Sequence, residues 1–326
     1  MHDIIDHLAG IVVAPFLFPV GPAHRIYWLY LLSAAGMAVA LHLCRRRSGS
    51  FAALKSGIAH LVPRAIYAHR SAFLDYRFFY VNTALVGMVL GPIMASSTIA
   101  AGVARALGGP AAGGHVGPLA AAALTVSLVL AMDLALYLGH YLQHRIPALW
   151  EFHKIHHSAE VLTPITAFRV HPVDDLLNLT LSAGLTGIVQ GIFHVWFGSK
   201  IGDVRILGVN ALLFAWYVFG FNLRHSHVWL AYPRWLSHLV ISPAQHQIHH
   251  SKAPRHFDKN MGFIFACWDA MFGTLYVPRE KEDLAYGLAD DEHRRFASVR
   301  ALYLRPFIAL WERRARAPSI GRATAR

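Results

Sequence analysis

Apolar positions along the chain gather into long unbroken blocks, not into the alternating pattern of half-buried strands. The first block runs over about 25–44, RIYWLYLLSAAGMAVALHLC, and closes on Arg45, Arg46 and Arg47. Further blocks cover about 78–102, 118–142, 176–197 and 204–223, the last two joined by the short GSKIGD. A helix needs about 20 predominantly apolar residues to cross a bilayer. The pattern therefore predicts an all-α, polytopic membrane protein with about four to five membrane helices. An earlier apolar stretch, LAGIVVAPFLFPV, is short and ends in Pro19 and Val20, which predicts a re-entrant or interfacial segment. GGPAAGGHVGP over 108–118 reads as a linker. Polar or amphipathic sequence fills 143–174 and most of the chain after His225.

Composition agrees with that picture: 55% of the 326 residues are hydrophobic. The formal charge of +12 raises the question of nucleic acid. Yet 26 of the 30 lysines and arginines lie in 45–77, 143–174 and 224–326, between or after apolar blocks; the exceptions are Arg25, Arg105, Lys200 and Arg205. Loops on the cytoplasmic side of membrane proteins are enriched in such cations. The asymmetry places these three segments in the cytoplasm, and no nucleic-acid partner is expected. Cys44 and Cys267 are too few for a disulfide framework or a thiolate metal site, so nitrogen or oxygen must hold any metal. The first apolar stretch shows no basic region followed by a small-residue cleavage site, and no cleaved signal peptide is expected.

Histidine changes the picture most. Of 22 histidines, 14 fall between 140 and 256. His140 and His144 are spaced i and i+4, and so share a helical face. His153, His156 and His157 are spaced i, i+3 and i+4, and His246, His249 and His250 repeat that spacing. Two imidazoles at i and i+4 can grip one metal ion, and a third at i+3 can reach a second ion. Eight histidines on three helical faces exceed what one four-coordinate metal can use. Crowded imidazoles without a metal would leave buried nitrogens unsatisfied, or repel when protonated. By contrast, isolated His2, His7, His24, His42, His60, His69, His115 and His293 read as interfacial polar residues. Imidazole suits zinc, copper, iron and nickel. HYLQH at 140–144 lacks the glutamate of a zinc HExxH protease, and no GxSxG elbow is present. The arrangement favours two non-haem irons at the membrane surface.

At these residues the sequence resembles the fatty acid hydroxylase/sterol desaturase superfamily of membrane di-iron oxidoreductases. The signature is HxxxH at 140–144 and HxxHH at 153–157 and again at 246–250, supported by LWEFHKIHHS, FRVHP, NLRHSH and NMGFIFACWDAMFGTLYVP. The resemblance covers about 130–278. It divides the chain into N-terminal membrane helices and linker (1–129), a hydroxylase/desaturase-like catalytic domain (130–278) and a basic cytoplasmic tail (279–326). It implies a cytoplasmic histidine-rich helical cap holding a di-iron site, with O2 as co-substrate and electrons from an external donor. The implied ligands are His140, His144, His153, His156, His157, His246, His249 and His250, joined by His225. HSH at 225–227 replaces the family's frequent HSN, which leaves His225 and His227 both open. His171, in an HP element, suits a turn-forming or a ligating role. Asp269 and Asp133 stand as carboxylates that could orient ligand imidazoles, and Tyr137 reads as an interface aromatic.

The reaction implied is hydroxylation of a membrane lipid, with desaturation the alternative on the same scaffold. The expected partners are that lipid and a ferredoxin- or cytochrome-type electron carrier, to which a basic cytoplasmic face is suited. Sterol, acyl chain, sphingoid, alkylglycerol, carotenoid and ornithine-lipid head group stay open as substrates. The Ala/Arg-rich composition points to a bacterial inner membrane. A zinc-dependent membrane hydrolase and a non-catalytic metal-binding or transport protein are the readings from other classes. The missing HExxH counts against the first, and the clustering of the histidines at one face, in place of polar residues along the spans, counts against the second.

Overall fold

Four of the main helices begin on a proline at their first position, and these helices build the centre of the molecule. The computed structural model describes residues 13–90, 96–111 and 116–316. His2, His7, His115, the start of the early apolar stretch and the end of the basic tail lie outside the described residues. In chain order the main helices are α1 (Trp28–Arg46), α2 (Phe51–Ala59), α3 (Arg70–Leu90), α4 (Ser96–Ala106), α5 (Pro118–Arg145), α6 (Pro147–His157), α7 (Pro172–Phe197), α8 (Ala211–Val218), α9 (Pro243–His249) and α10 (Val299–Arg316).

Pro147 both ends α5 and starts α6. A residue before proline is pushed out of the helical region, and Ile146 is extended at φ −96°, ψ 113°. Proline then fits the first helical position because its missing N–H had no partner there anyway. The turn swings the HxxxH face of α5 onto the first triplet of α6. His171 caps α7, its Nδ1 accepting from the backbone N–H of Val173 at 3.1 Å. Asp174 and Asp175 in the first turn complement the helix dipole. Ser242 and Gln245 cap α9 reciprocally in a capping box.

Small residues set the helix spacing. A Cβ on Gly187 would lie 2.8 Å from the Ser96 carbonyl oxygen, and one on Gly191 2.8 Å from that of Ala100. These glycines, four apart, let α4 and α7 approach backbone to backbone, the usual solution where lipid supplies no hydrophobic drive. Gly139 does the same for Asn178 where α5 meets α7. A buried ion pair between Asp75 and Arg169, with Thr166 and Ser158 in the same network, ties α3 to the segment after α6. An aromatic core of Tyr27, Tyr30, Trp216, Tyr217 and Phe221 joins α1 to α8.

Among the described residues, α1, α5 and α7 are long and apolar enough to cross a membrane. Their outer faces carry exposed apolar side chains such as Leu119, Val126, Leu179 and Trp196, as lipid-facing helices do. Among the described residues these are three candidates against the expected four to five spans. In the block 78–102, residues up to Leu90 belong to α3 and those from Ser96 to α4, and 91–95 lie outside the described residues. The block 204–223 holds a small hairpin, Arg205–Ile206 paired with Val209–Asn210, and then the eight-residue α8. Its tight turn uses positive φ at Leu207 and Gly208. Eight residues rise only about 12 Å, and Trp216 and Tyr217 are buried in the aromatic core instead of facing lipid.

Candidate metal centre

The nine histidines form two groups, and each HxxHH triplet is divided between them. His140 and His144 of α5, His153 and His157 of α6, and His249 of α9 make one group; His156, His225, His246 and His250 make the other. Within each group one ring nitrogen per residue lies within 4.8 Å of all the others. Helical spacing dictates this division. Residues i and i+4 of α6, His153 and His157, point together, and i+3, His156, turns to the second group. In α9 the same rule sends His246 and His250 to the second group and His249 to the first.

The outward ring nitrogens are fixed by the surrounding chain. His140 Nδ1 lies 2.8 Å from the Met261 carbonyl and His249 Nδ1 2.7 Å from that of Lys259. His144 Nδ1 lies 3.2 Å from Asp258, and His153 Nδ1 lies 3.4 Å from the buried Asp174 without a hydrogen bond. The partners of His140, His144 and His249 place the proton on Nδ1 and leave Nε2 a lone pair. The Nε2 atoms of His140, His144, His153, His157 and His249 are all buried without a hydrogen-bond partner. In the second group His225 Nε2 lies 3.0 Å from His246 Nε2, 3.1 Å from His250 Nε2 and 3.4 Å from His156 Nε2.

Burial holds His153, His157, His225, His246, His249 and His250 well below the usual imidazole range and pushes His156 down to about 3. Neutral rings with inward lone pairs are what a divalent cation requires, and orphaned buried nitrogens are what a cation would satisfy. The residues therefore fit an all-nitrogen pair of metal sites. His246 differs from the rest. Its Nδ1 faces the Arg224 guanidinium at 2.8 Å, which can only donate. Its proton then sits on Nε2 and must leave before that nitrogen can bind a metal.

The fatty acid hydroxylase family model matches residues 125–274, which contain all nine of these histidines. Over these residues, a little under half of the chain, the sequence is thus similar to the fatty acid hydroxylase family. An alkylglycerol monooxygenase of Caenorhabditis elegans is 30% identical over 179 residues, 52% of this chain and 29% of that one. One from Danio rerio is 29% identical, over 44% of this chain and 28% of its own. The ornithine lipid hydroxylase OlsE of Rhizobium tropici is 26% identical, over 44% of this chain and 39% of its own. The chain thus spans well under half the length of these relatives. No solved structure matches.

The remaining residues marked by the superfamily signature take supporting places. His227 stands outside both groups, with Nε2 2.8 Å from the His60 carbonyl. His171 is the cap of α7, and its Nε2 lies 3.3 Å from the Tyr303 carbonyl. Asp269 touches no imidazole. It accepts from the Met261 and Gly262 N–H groups at 2.8 and 2.9 Å and from the Thr274 hydroxyl at 2.6 Å, and so fixes the Met261 carbonyl that meets His140. Tyr137 joins the same chain through Thr274 at 3.0 Å. Asp133 accepts from the Ile264 and Phe265 N–H groups and from the Trp268 indole. Sequence reasoning missed Asp174, Asp258 and the backbone carbonyls of Lys259 and Met261. The two acids had a signal, being carboxylates within a few residues of HP and HxxHH elements; a carbonyl has none.

Two cavities with different linings reach the histidines. One of about 110 Å³ opens between α5 and α7 and is lined by Leu136, Gln143, Asn178 and Phe263. The other, about 830 Å³, lies on the polar side and reaches His144, His157 and His249 past Trp150, Lys252 and Arg295.

Proposed function

We propose that this chain is an O2-dependent hydroxylase of a membrane lipid, working through two irons held by His140, His144, His153, His157 and His249 on one side and His156, His225, His246 and His250 on the other. The observation that carries the reading is the pair of buried imidazole groups, the first with inward nitrogens that have no partner and the second with its Nε2 atoms turned onto one another. The hydroxylase and monooxygenase relatives support the reaction class. Bound iron would supply reduction of O2 and removal of a hydrogen atom from an unactivated C–H bond. Overall, one oxygen atom enters the C–H bond and the other leaves as water, consuming two protons and two electrons from a separate reduced carrier protein.

The chain's own part is positional. Asp258 and the carbonyls of Met261 and Lys259 orient the rings of His144, His140 and His249 before any substrate arrives. The α5–α7 cavity, with Leu136, Phe221 and Phe263 among its walls, holds the reacting carbon against the histidines and excludes water, which would quench a strong oxidant. The polar cavity beside Trp150 suits approach of the electron carrier. The histidine face is cytoplasmic in this reading, as the distribution of cations suggests, and the membrane is that of a bacterium.

Comparative lipid mass spectrometry with and without expression tests the reaction. A lipid that gains one oxygen atom supports hydroxylation, and one that loses two hydrogens shows desaturation instead. Iron near two per chain, with activity restored on reconstitution, supports the metal assignment. One zinc per chain with iron-independent turnover would overturn it.

A further inference from the structure

Two helices outside the candidate spans turn apolar side chains outward. α2 exposes Phe51, Leu54 and Ile58, with Phe51 82% exposed. α10 exposes Leu304, Phe307, Ile308 and Trp311, with Trp311 73% exposed. At helical spacing these positions form one stripe on each helix. The opposite faces are packed. Ala53 and Gly57 of α2 are buried, and a Cβ on Gly57 would lie 3.4 Å from both Val39 and His42 of α1. Leu302 and Pro306 of α10 are buried. The Phe307 ring touches Phe152 of α6 and His171, with ring centres 5.1 and 5.6 Å apart. Each stripe is therefore the face left over once its helix has packed. Contiguous apolar surface of this kind marks a place of contact.

Both helices stand where candidate spans end beside the histidines. Arg45, at the end of α1, donates to the Trp229 carbonyl, and Trp229 packs on Ala244 and Ile248 of α9. α2 turns back along that end of α1. From Val39 to Arg46 is seven residues, about 10 Å of helix, so α2 covers the last two turns of the span. α10 meets the first turn of α7. The Tyr303 carbonyl lies 3.3 Å from Nε2 of His171, the residue that caps α7 through its Nδ1. Exposed cations border the stripes. Arg305 and Arg314 flank that of α10 on its two sides, and Lys55, Arg46 and Arg47 border that of α2. Long basic side chains beside an apolar stripe reach head-group phosphates while the stripe enters the acyl region, about 5–10 Å deep.

We propose that α2 and α10 lie in the boundary layer of the membrane on the histidine side, with their apolar stripes among acyl chains and their cations on anionic phospholipid head groups. The histidine cap is then seated in that leaflet, and α10 is a membrane-surface helix within the segment that sequence marks only as a basic tail. The partner is a phospholipid surface, and the assignment depends on neither the metal nor the reaction.

The test places the photo-cross-linker benzoylphenylalanine at position 58, 308 or 311 of the full chain. The protein is reconstituted in proteoliposomes of equal parts phosphatidylcholine and phosphatidylglycerol, and adducts are read by mass spectrometry. Position 252, on the polar cavity, is the control. Probes on both helices form phospholipid adducts, and the probe at 252 forms none. Replacing both α10 cations, Arg305→Gln with Arg314→Gln, lowers the phosphatidylglycerol-to-phosphatidylcholine ratio of the α10 adducts by about fivefold for each arginine removed. Arg305→Lys with Arg314→Lys keeps that ratio. A helix without lipid adducts, equal lipid adducts at 252, adducts to a second copy of the chain in place of lipid, or an unchanged lipid ratio in the glutamine variant would each overturn the proposal.

Discussion

Replacing Asp269 by asparagine separates support of the metal centre from support of the fold. The Asp269 side chain is fully buried and receives three donors: Met261 N–H and the Thr274 hydroxyl at Oδ1, and Gly262 N–H at Oδ2. An amide can keep its oxygen toward Met261 and Thr274, but its NH2 then opposes the Gly262 N–H. One charge-assisted hydrogen bond is lost and a buried donor is stranded, a cost of about 2–3 kcal/mol. The damage falls on the backbone that aims the Met261 carbonyl at His140 Nδ1, 2.8 Å away. Loss of such an orienting contact costs about 10–100-fold in metal affinity. Asp133→Asn is the control, because its donors, Ile264 N–H, Phe265 N–H and the Trp268 indole, orient no imidazole. Competition titration with a chelator, together with thermal melting in detergent, reads both quantities. Asp269→Asn should lower metal affinity and melting temperature together, and Asp133→Asn the melting temperature alone. Equal loss of metal in the two variants, or unchanged metal affinity in Asp269→Asn, would refute the reasoning.

Four further outcomes follow from the same geometry. Alanine at His153 or His246 should abolish turnover and lower metal content while membrane insertion persists, and His60→Ala should keep both; near-normal turnover in His153→Ala would remove the first triplet from the ligand set. Gly191→Ala puts a methyl 2.8 Å from the Ala100 carbonyl and should cost about 1–3 kcal/mol by overpacking α4 on α7, visible as a lower melting temperature with metal binding retained. The metal-free protein should lose stability as pH falls below about 6.5, the value of an imidazole in the unfolded chain. There the unfolded chain takes up protons that the buried rings refuse, and His156 continues to do so down to about 3; stability that is flat between pH 7 and 5 would contradict the buried neutral rings. Cysteine labelling should find positions 158 and 252 in the same compartment, the cytoplasm. Opposite sides would place the two triplets about 30 Å of hydrocarbon apart and rule out a shared centre.

The histidine centre was legible because its spacing is local. The i, i+3, i+4 pattern says which rings of one helix point together, and the structure divides both triplets by that rule. The starts of α5, α6, α7 and α9 were equally written into Pro118, Pro147, Pro172 and Pro243. Hydropathy failed at 204–223 because it cannot tell an aromatic core from lipid: Trp216 and Tyr217 are as apolar against Tyr30 as they would be in a bilayer. The choice between His225 and His227 is tertiary. Only packing of α2 puts the His60 carbonyl where it takes His227 and leaves His225 to the cluster. Counting charges along the chain likewise does not show that Arg25, just before α1, lines the histidine pocket.

The division of each triplet has a consequence for how such a centre can form. Had His153, His156 and His157 served one site and His246, His249 and His250 the other, each site could close in its own part of the chain. Here neither group is complete until α6 meets α9, about ninety residues later in the sequence. The rings of α5 are in turn aimed by Met261 and Asp258, which follow α9. His140 and His144 therefore depend on chain that lies beyond α7 and α8, where His249 itself is also found. A cation bound across these elements favours only the fully assembled state, and mass action then adds its binding energy to the fold as a whole and not to one hairpin. The buried, mutually repelling nitrogens are a cost borne by the metal-free chain, and the same nitrogens become the staple between its two halves once a metal is held.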